Sequence, residues 1–235
     1  GEEIVRIPGA RIPICFAGPD ALLTHGPLPE GVVFWPLVAD ENAPHSYQLG
    51  PAQRPLIDGP DVGGLDFWSA SADGRVIAMP NYGEGANLFV AEQESGLAVG
   101  TRPRYRRMVL GPQPDVRTCS VSSDGRWVAT GSQLDGTITI WDAASGRRVK
   151  DLLATGGGVA FSADGRFLHT SSTAGSQLWS AGGWELLRDL PAGHLAFDQR
   201  GEQLAVELPN SRLQLQNLDD ARELDRVARP GCCDD

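Results

Sequence analysis

Val121-Ser122-Ser123-Asp124-Gly125-Arg126-Trp127-Val128 returns 40 residues later as Phe161-Ser162-Ala163-Asp164-Gly165-Arg166-Phe167-Leu168, and it stands 51 residues earlier as Ala70-Ser71-Ala72-Asp73-Gly74-Arg75-Val76-Ile77. Self-similarity at such a period is the signature of a repeat architecture. Looser copies begin at Phe16 and Phe197, so five repeats are visible. Each is followed 18 to 20 residues on by a second anchor: Trp35, Phe89, Trp141, Trp179 and, degenerately, Gln216. Thr137-Ile138-Thr139-Ile140-Trp141 alternates polar and apolar side chains up to its anchor, which marks a strand with one buried face.

Each repeat therefore predicts four strands. An apolar strand ends at the first anchor, a second starts near Trp127, the third carries the second anchor, and an outer strand follows, over 147–153 and 185–190 in the third and fourth repeats. Asp124-Gly125 and Asp135-Gly136 are turn dipeptides, because glycine adopts positive φ without steric cost. One four-stranded sheet cannot bury both faces, so such sheets pack side by side around an axis. The expected fold is all-β: a propeller of four-stranded antiparallel blades, with repeats over about 10–60, 61–110, 111–155, 156–192 and 193–229. Residues 1–9 read as the outer strand of a preceding or closing blade, and 230–235 as a flexible tail. Closure would require residues 221–228 to leave the last blade's edge, and 219–228, opening on Asp219-Asp220, suits a short helix after an acidic cap. The length favours part of a larger propeller.

Thr137-Ile138-Thr139-Ile140-Trp141-Asp142 and the turn Ser162-Ala163-Asp164-Gly165-Arg166 resemble the terminal signature and first turn of the WD-repeat propeller family, strongly over 116–190 and weakly over 1–60. The resemblance implies a rigid, non-catalytic protein-interaction platform. Repeat regions of large bacterial multi-domain proteins, serine/threonine kinases among them, look similar. The family often joins a His, a Ser or Thr, an Asp and the Trp in one hydrogen-bond network. Here only Gly193-His194 supplies the Gly-His pair, and the third repeat keeps Asp135, Trp141, Thr130 and Ser132 but has Gln113-Pro114-Asp115 where the His belongs. With no complete network, blade stability is expected to rest mainly on packing, each buried large side chain contributing roughly 1.5–3 kcal/mol.

Composition supports the all-β reading: 29 Gly and 17 Pro spread over 235 residues mark many turns. A formal net charge of −10 argues against general affinity for nucleic acid or anionic membranes. Cys15 and Cys119 are isolated, and Cys232-Cys233 end the chain, so no disulfide or metal-ligand spacing occurs, and a reducing, cytoplasmic setting is the default. His25, His45, His169 and His194 share no metal spacing and read as hydrogen-bonded structural residues. Asp73, Asp124 and Asp164 recur with the fold period, which marks them as structural. No cofactor is expected.

Spacing between first anchors shrinks from 54 and 51 to 40 and 36 residues, so the first two connections carry extra chain. One is the proline-rich loop 42–61. The other is dominated by Arg102, Arg104, Tyr105, Arg106 and Arg107, four guanidinium groups around a tyrosine, able to clamp carboxylates or phosphates of a protein or peptide partner. The competing reading of that cluster is a solvated strand edge. At the level of function, an interaction platform leads, against a regulatory repeat region attached to a kinase or similar effector, and against a propeller enzyme of lactonase or dehydrogenase type with an axial site.

Overall fold

The computed structural model describes residues 12–16, 21–26, 31–39, 47–57, 68–81, 84–92, 103–152, 157–172, 174–192, 195–198, 200–208, 212–218 and 223–227. These residues form strands and turns and no helix. Blade one comprises β1 (Ile12–Phe16), β2 (Ala21–Gly26), β3 (Gly31–Ala39) and β4 (Tyr47–Leu49), and a two-residue strand β5 (Leu56–Ile57) follows. Blade two has β6 (Ser69–Ala70), β7 (Val76–Pro80), β8 (Glu84–Ala91) and β9 (Arg104–Pro114). Blade three has β10 (Val116–Val121), β11 (Trp127–Ser132), β12 (Ile138–Asp142) and β13 (Arg148–Leu152). Blade four has β14 (Gly158–Phe161), β15 (Phe167–Ser171), β16 (Ser176–Ser180) and β17 (Leu186–Leu190). Blade five has β18 (Leu195–Phe197), β19 (Gln203–Leu208), β20 (Arg212–Asn217) and β21 (Glu223–Val227). Within every blade, strands adjacent in sequence pair antiparallel, giving the blades of a β-propeller.

Two features differ from the sequence reading. The segment that ring closure would have made a short helix contains β21 instead, whose Val227 and Leu224 pair with Leu213 and Leu215. Pairing supplies partners to the backbone groups on the open edge of β20, and that tertiary demand outweighs a weak local helix preference. Blade two also holds five strands: β5 adds in parallel to β9, Leu56 opposite Arg104 and Ile57 opposite Tyr105. Just before β5, Gln53 exchanges backbone hydrogen bonds of 2.8 Å with Phe34 of blade one. Residues 47–57 of the expected proline-rich loop thus form a strap from the outer edge of blade one to that of blade two. Residues 1–9 and 230–235 lie outside the described residues.

The core lies between blades. Leu23, Val32 and Phe34 of blade one meet Ile77, Met79 and Phe89 of blade two. Leu88 and Leu110 of blade two meet Val116, Val128 and Trp141 of blade three. Ile138, Ile140 and Leu152 face Leu168 and Trp179 of blade four, and Leu178 and Leu190 face Leu204 and Val206 of blade five. Alternate residues of one strand therefore serve opposite interfaces, and the anchors Phe89, Trp141 and Trp179 turn toward the preceding blade. Innermost strands are tied by hydrogen bonds from Val121 N to Ser69 Oγ (2.9 Å) and from Phe161 N to Ser120 Oγ (3.0 Å).

Between β16 and β17, Trp184 sits at φ 56°, a left-handed conformation taken by Gly146 (φ 68°) at the matching turn of blade three. The indole compensates by packing edge-on to Trp127 with ring centroids 5.4 Å apart, and Trp184 belongs to the core between blades three and four. Its carbonyl accepts a hydrogen bond from Lys150 Nζ of the preceding blade at 3.2 Å.

Candidate interaction surface

The turn joining the first two strands is built the same way in blades two, three and four. Ser71, Ser122 and Ser162 each donate a hydroxyl hydrogen bond of 2.6 Å to the carboxylate of Asp73, Asp124 or Asp164. The same carboxylates accept the amides of Arg75, Arg126 and Arg166 at 3.0–3.1 Å. Gly74, Gly125 and Gly165, at φ 68–73°, let the chain reverse where a side chain would be strained. Burial alone would raise the Asp124 carboxyl, but the Ser122 hydroxyl and the amide and charge of Arg126 outweigh it and hold the group below the usual carboxylate range. Asp164 behaves likewise through Ser162 and Arg166. These carboxylates shape turns. No group of three or more metal-ligating side chains occurs among the described residues.

Behind the turns runs a buried polar spine. The indoles of Trp35, Trp141 and Trp179 donate to Thr24, Thr130 and Thr170 at 2.9, 2.7 and 3.1 Å. In blade three the spine continues: Thr130 donates its hydroxyl to Gln113 Oε1, and Gln113 Nε2 donates to the Thr137 carbonyl at 3.0 Å, while Thr137 donates to Asp135 at 2.7 Å. Beside the packing expected to carry most of the stability, the anchor indoles thus have hydroxyl partners, and blade three has a longer chain of them. A glutamine has both an acceptor and a donor on one amide, so it can bridge a threonine hydroxyl and a backbone carbonyl where the histidine of the resemblance is absent. Phe89 and Gln216 replace the tryptophan in blades two and five.

The arginine cluster is not the loop that its composition suggests. Residues 104–107 begin the long outer strand β9, and strand alternation separates them. Tyr105 is fully buried and donates its hydroxyl to the Gly74 carbonyl at 2.6 Å. Arg107 donates to Asn87 Oδ1 at 2.8 and 3.0 Å through two nitrogens. Arg104 is ion-paired with Glu92 at 2.9 Å, and Arg102 lies outside the described residues. Arg106 is exposed and reaches across to blade three, donating to the Ala144 carbonyl at 3.1 Å.

That reach brings Arg106 to the turn 142–146, which two further arginines flank. Arg126 accepts the Ala143 amide on its carbonyl at 2.9 Å and lays its guanidinium 4.6 Å from the Trp127 ring centroid. Arg147 follows the turn and accepts the Asp142 amide at 2.9 Å. All three are exposed, and none has a carboxylate within ion-pair distance among the described residues. Asp142 inside the turn is engaged by Ser145, through its hydroxyl at 2.5 Å and its amide at 2.8 Å. Over residues 103–152 the sequence has eight basic side chains against five acidic ones, whereas the whole chain has 20 against 30. A basic island thus stands at the rim between blades two and three. Beside it, Asp73, Arg75, Val76, Val90, Ala91, Asp124 and Gly125 line a shallow notch of about 200 Å³, smaller than the roughly 300–1,000 Å³ of a usual small-molecule site.

Other candidates are structural or undescribed. His169 faces Ala160 and Leu178 across its strand neighbours. Burial pushes its pKa down to about 4, and its Nε2 is buried without a hydrogen-bond partner, which corrects the expectation of a hydrogen-bonded histidine. His25 packs against Trp68, with ring centroids 5.1 Å apart. Burial pushes the Cys119 thiol up to about 12, so it is no thiolate nucleophile. His45, His194, Cys232 and Cys233 lie outside the described residues.

Residues 105–142, from the start of β9 to the end of β12, match the family described as WD domain, G-beta repeat. Telomerase protein component 1 of Rattus norvegicus is 33% identical over 144 residues, covering 57% of this chain and 5% of that protein, so this chain spans only a small part of that relative. The hydrazine synthase of Kuenenia stuttgartiensis superposes with a TM-score of 0.51 and 13% identity over 73% of this chain and 52% of that one. At that identity the likeness is one of fold.

Proposed function

Starting from a chain of WD-repeat blades, we propose that it is a non-catalytic platform that holds a protein partner on its turn surface. The observation that carries this is the engagement of the recurring carboxylates: Asp73, Asp124 and Asp164 spend their oxygens on turn hydroxyls and amides, so the blades invest their acidic groups in rigidity. Binding residues carried on a rigid scaffold lose little entropy on docking. A second reading, a regulatory repeat region within a larger protein such as a bacterial serine/threonine kinase, is favoured by the 5% share that the aligned region takes in its rat relative. The propeller-enzyme reading has only a fold likeness behind it.

Cross-linking mass spectrometry of the chain in its native complexes tests the platform. Cross-links from one stoichiometric partner should gather on the surface carrying the turns 71–75, 122–126 and 142–146. Links scattered over all surfaces, or no stoichiometric partner, would overturn it.

A further inference from the structure

We propose that the seam between blades four and five is a built-in point of opening, from which blade five swings as one unit while blades two to four stay closed. The inference concerns the scaffold and does not depend on what the platform holds.

Blades stacked side by side contact only their neighbours, so the weakest seam opens first. Two devices that close the earlier seams are missing from this one. The first is apolar. Phe89, Trp141 and Trp179 fill the three earlier seams, and Trp184 adds a second indole to the third of them. At the last seam the anchor is Gln216, and the buried apolar side chains are Leu178, Leu190, Leu204 and Val206. An aromatic anchor takes about 150–250 Å² out of water. The Gln216 amide instead accepts from Arg188 at 2.7 Å and donates to Gln214 at 3.2 Å.

The second device is the tie between innermost strands. Val121 N donates to Ser69 Oγ and Phe161 N to Ser120 Oγ, each reaching back one blade. Phe197 holds the matching position in β18, because Asp198 N donates to the Gln203 carbonyl as Ser122 N does to Trp127 and Ser162 N to Phe167. Backbone alternation then turns Phe197 N away from β19 and toward blade four. The residue that stands there in place of Ser69 and Ser120 is Ala160, which has no hydroxyl to offer.

The closed seam also carries a polar cost. His169 pairs in register with Ala160 on one side and Leu178 on the other, so it shares the face that Leu178 turns to blade five, and strand alternation puts Ser176 there too. His169 Nε2 and Ser176 Oγ are buried without a hydrogen-bond partner. Water reaching them on opening would recover part of that cost. The polar links that remain are Arg188 to Gln216 on the outer side and Arg166 Nη2 to the Gly201 carbonyl at 3.2 Å between the turns. They leave β14 and β18 untied, so the seam parts from its inner strands.

Amide hydrogen exchange of the 235-residue chain, followed residue by residue by NMR, tests the seam. Protected amides of β19 and β20 should share one opening rate and exchange about tenfold or more faster than those of β11, β12, β15 and β16, as a separate cooperative unit does. Ala160→Ser restores the missing hydroxyl. It should slow exchange in β19 and β20 by about three- to tenfold, the net effect of one hydrogen bond, and leave β11 and β12 unchanged. Equal protection of blades four and five would overturn the proposal. So would rates that rise strand by strand toward residue 227 without a common value, which is fraying, or a folded Ala160→Ser chain with no slowing. Should that variant fail to fold, the wild-type pattern decides alone.

Discussion

Trp141 Nε1 donates to Thr130 Oγ1 at 2.7 Å, and Thr130 in turn donates to Gln113, so the anchor indole of blade three is coupled to the end of the outer strand of blade two. Thr130→Val leaves both a buried indole N–H and the Gln113 carbonyl oxygen without this partner. Stability should fall by about 2–3 kcal/mol, since each orphaned buried group costs about 1–3 kcal/mol. Thr170→Val in blade four strands only the Trp179 indole and should cost roughly half as much. Urea midpoints of the two variants compare them; equal losses would show that Gln113 is no part of the spine.

Trp184 reverses the usual order of small substitutions. Trp184→Ala keeps the left-handed backbone strain and forfeits the contact with Trp127, a loss of about 3–5 kcal/mol. Trp184→Gly forfeits the same contact but relaxes a backbone that costs a non-glycine residue about 1–3 kcal/mol. The glycine variant should therefore be the more stable of the two in thermal and urea unfolding.

Buried and exposed side chains alternate at the start of β9. Tyr105→Phe deletes the hydroxyl bond to Gly74 and should cost about 1–2 kcal/mol, because the side chain is fully buried. Arg106→Gln, at an exposed side chain with one hydrogen bond to the Ala144 carbonyl, should change stability by no more than about 0.5–1 kcal/mol. Urea unfolding of the two variants side by side checks the contrast, and equal losses would overturn it.

Acidification should act in two windows. The folded pKa of His169, about 4, lies below its ordinary 6.5, so folding favours the neutral ring. Above 6.5 that contribution is complete. As the pH falls from 6.5 toward 4, the unfolded chain takes up a proton that the folded one refuses, and stability drops by on the order of 2–3 kcal/mol. Asp124, Asp135, Asp142, Asp164 and Asp198 are all held below 3.8, so their contribution is present above that value and is lost only at lower pH. In a pH series of urea titrations, His169→Leu should flatten the first window and leave the second.

The phase of the repeat was legible because each landmark has a local cause. Asp-Gly-Arg marks a turn by the left-handed freedom of glycine, and β6, β10 and β14 end at Ala70, Val121 and Phe161, where the anchors place them. The site was not legible in the same way. Arg104, Tyr105, Arg106 and Arg107 are neighbours in sequence, yet a strand sends alternate side chains to opposite faces. Arg126 and Arg147 are far from them in sequence, and they border the turn that Arg106 reaches only through the β11–β12 pairing and the turn after it. Gln113 was opaque for a related reason: its role depends on where the far end of β9 lands beside Thr130. Nothing in the composition around Trp184 signals a bulky residue in a position suited to glycine.

The strap 47–57 also orders events in time. Leu56 and Ile57 are synthesised well before Arg104 and Tyr105, the residues they pair with, and a parallel partner cannot be supplied by a tight hairpin. The outer edge of blade one can draw Gln53 onto Phe34 early, but the strap's far end must wait for the last strand of blade two. Blades three and four close with sequential antiparallel neighbours alone. The first two blades therefore mature as one cooperative unit whose completion needs long-range contact, the slow kind of step in β-rich folding, while the following blades can be added one after another as the chain emerges.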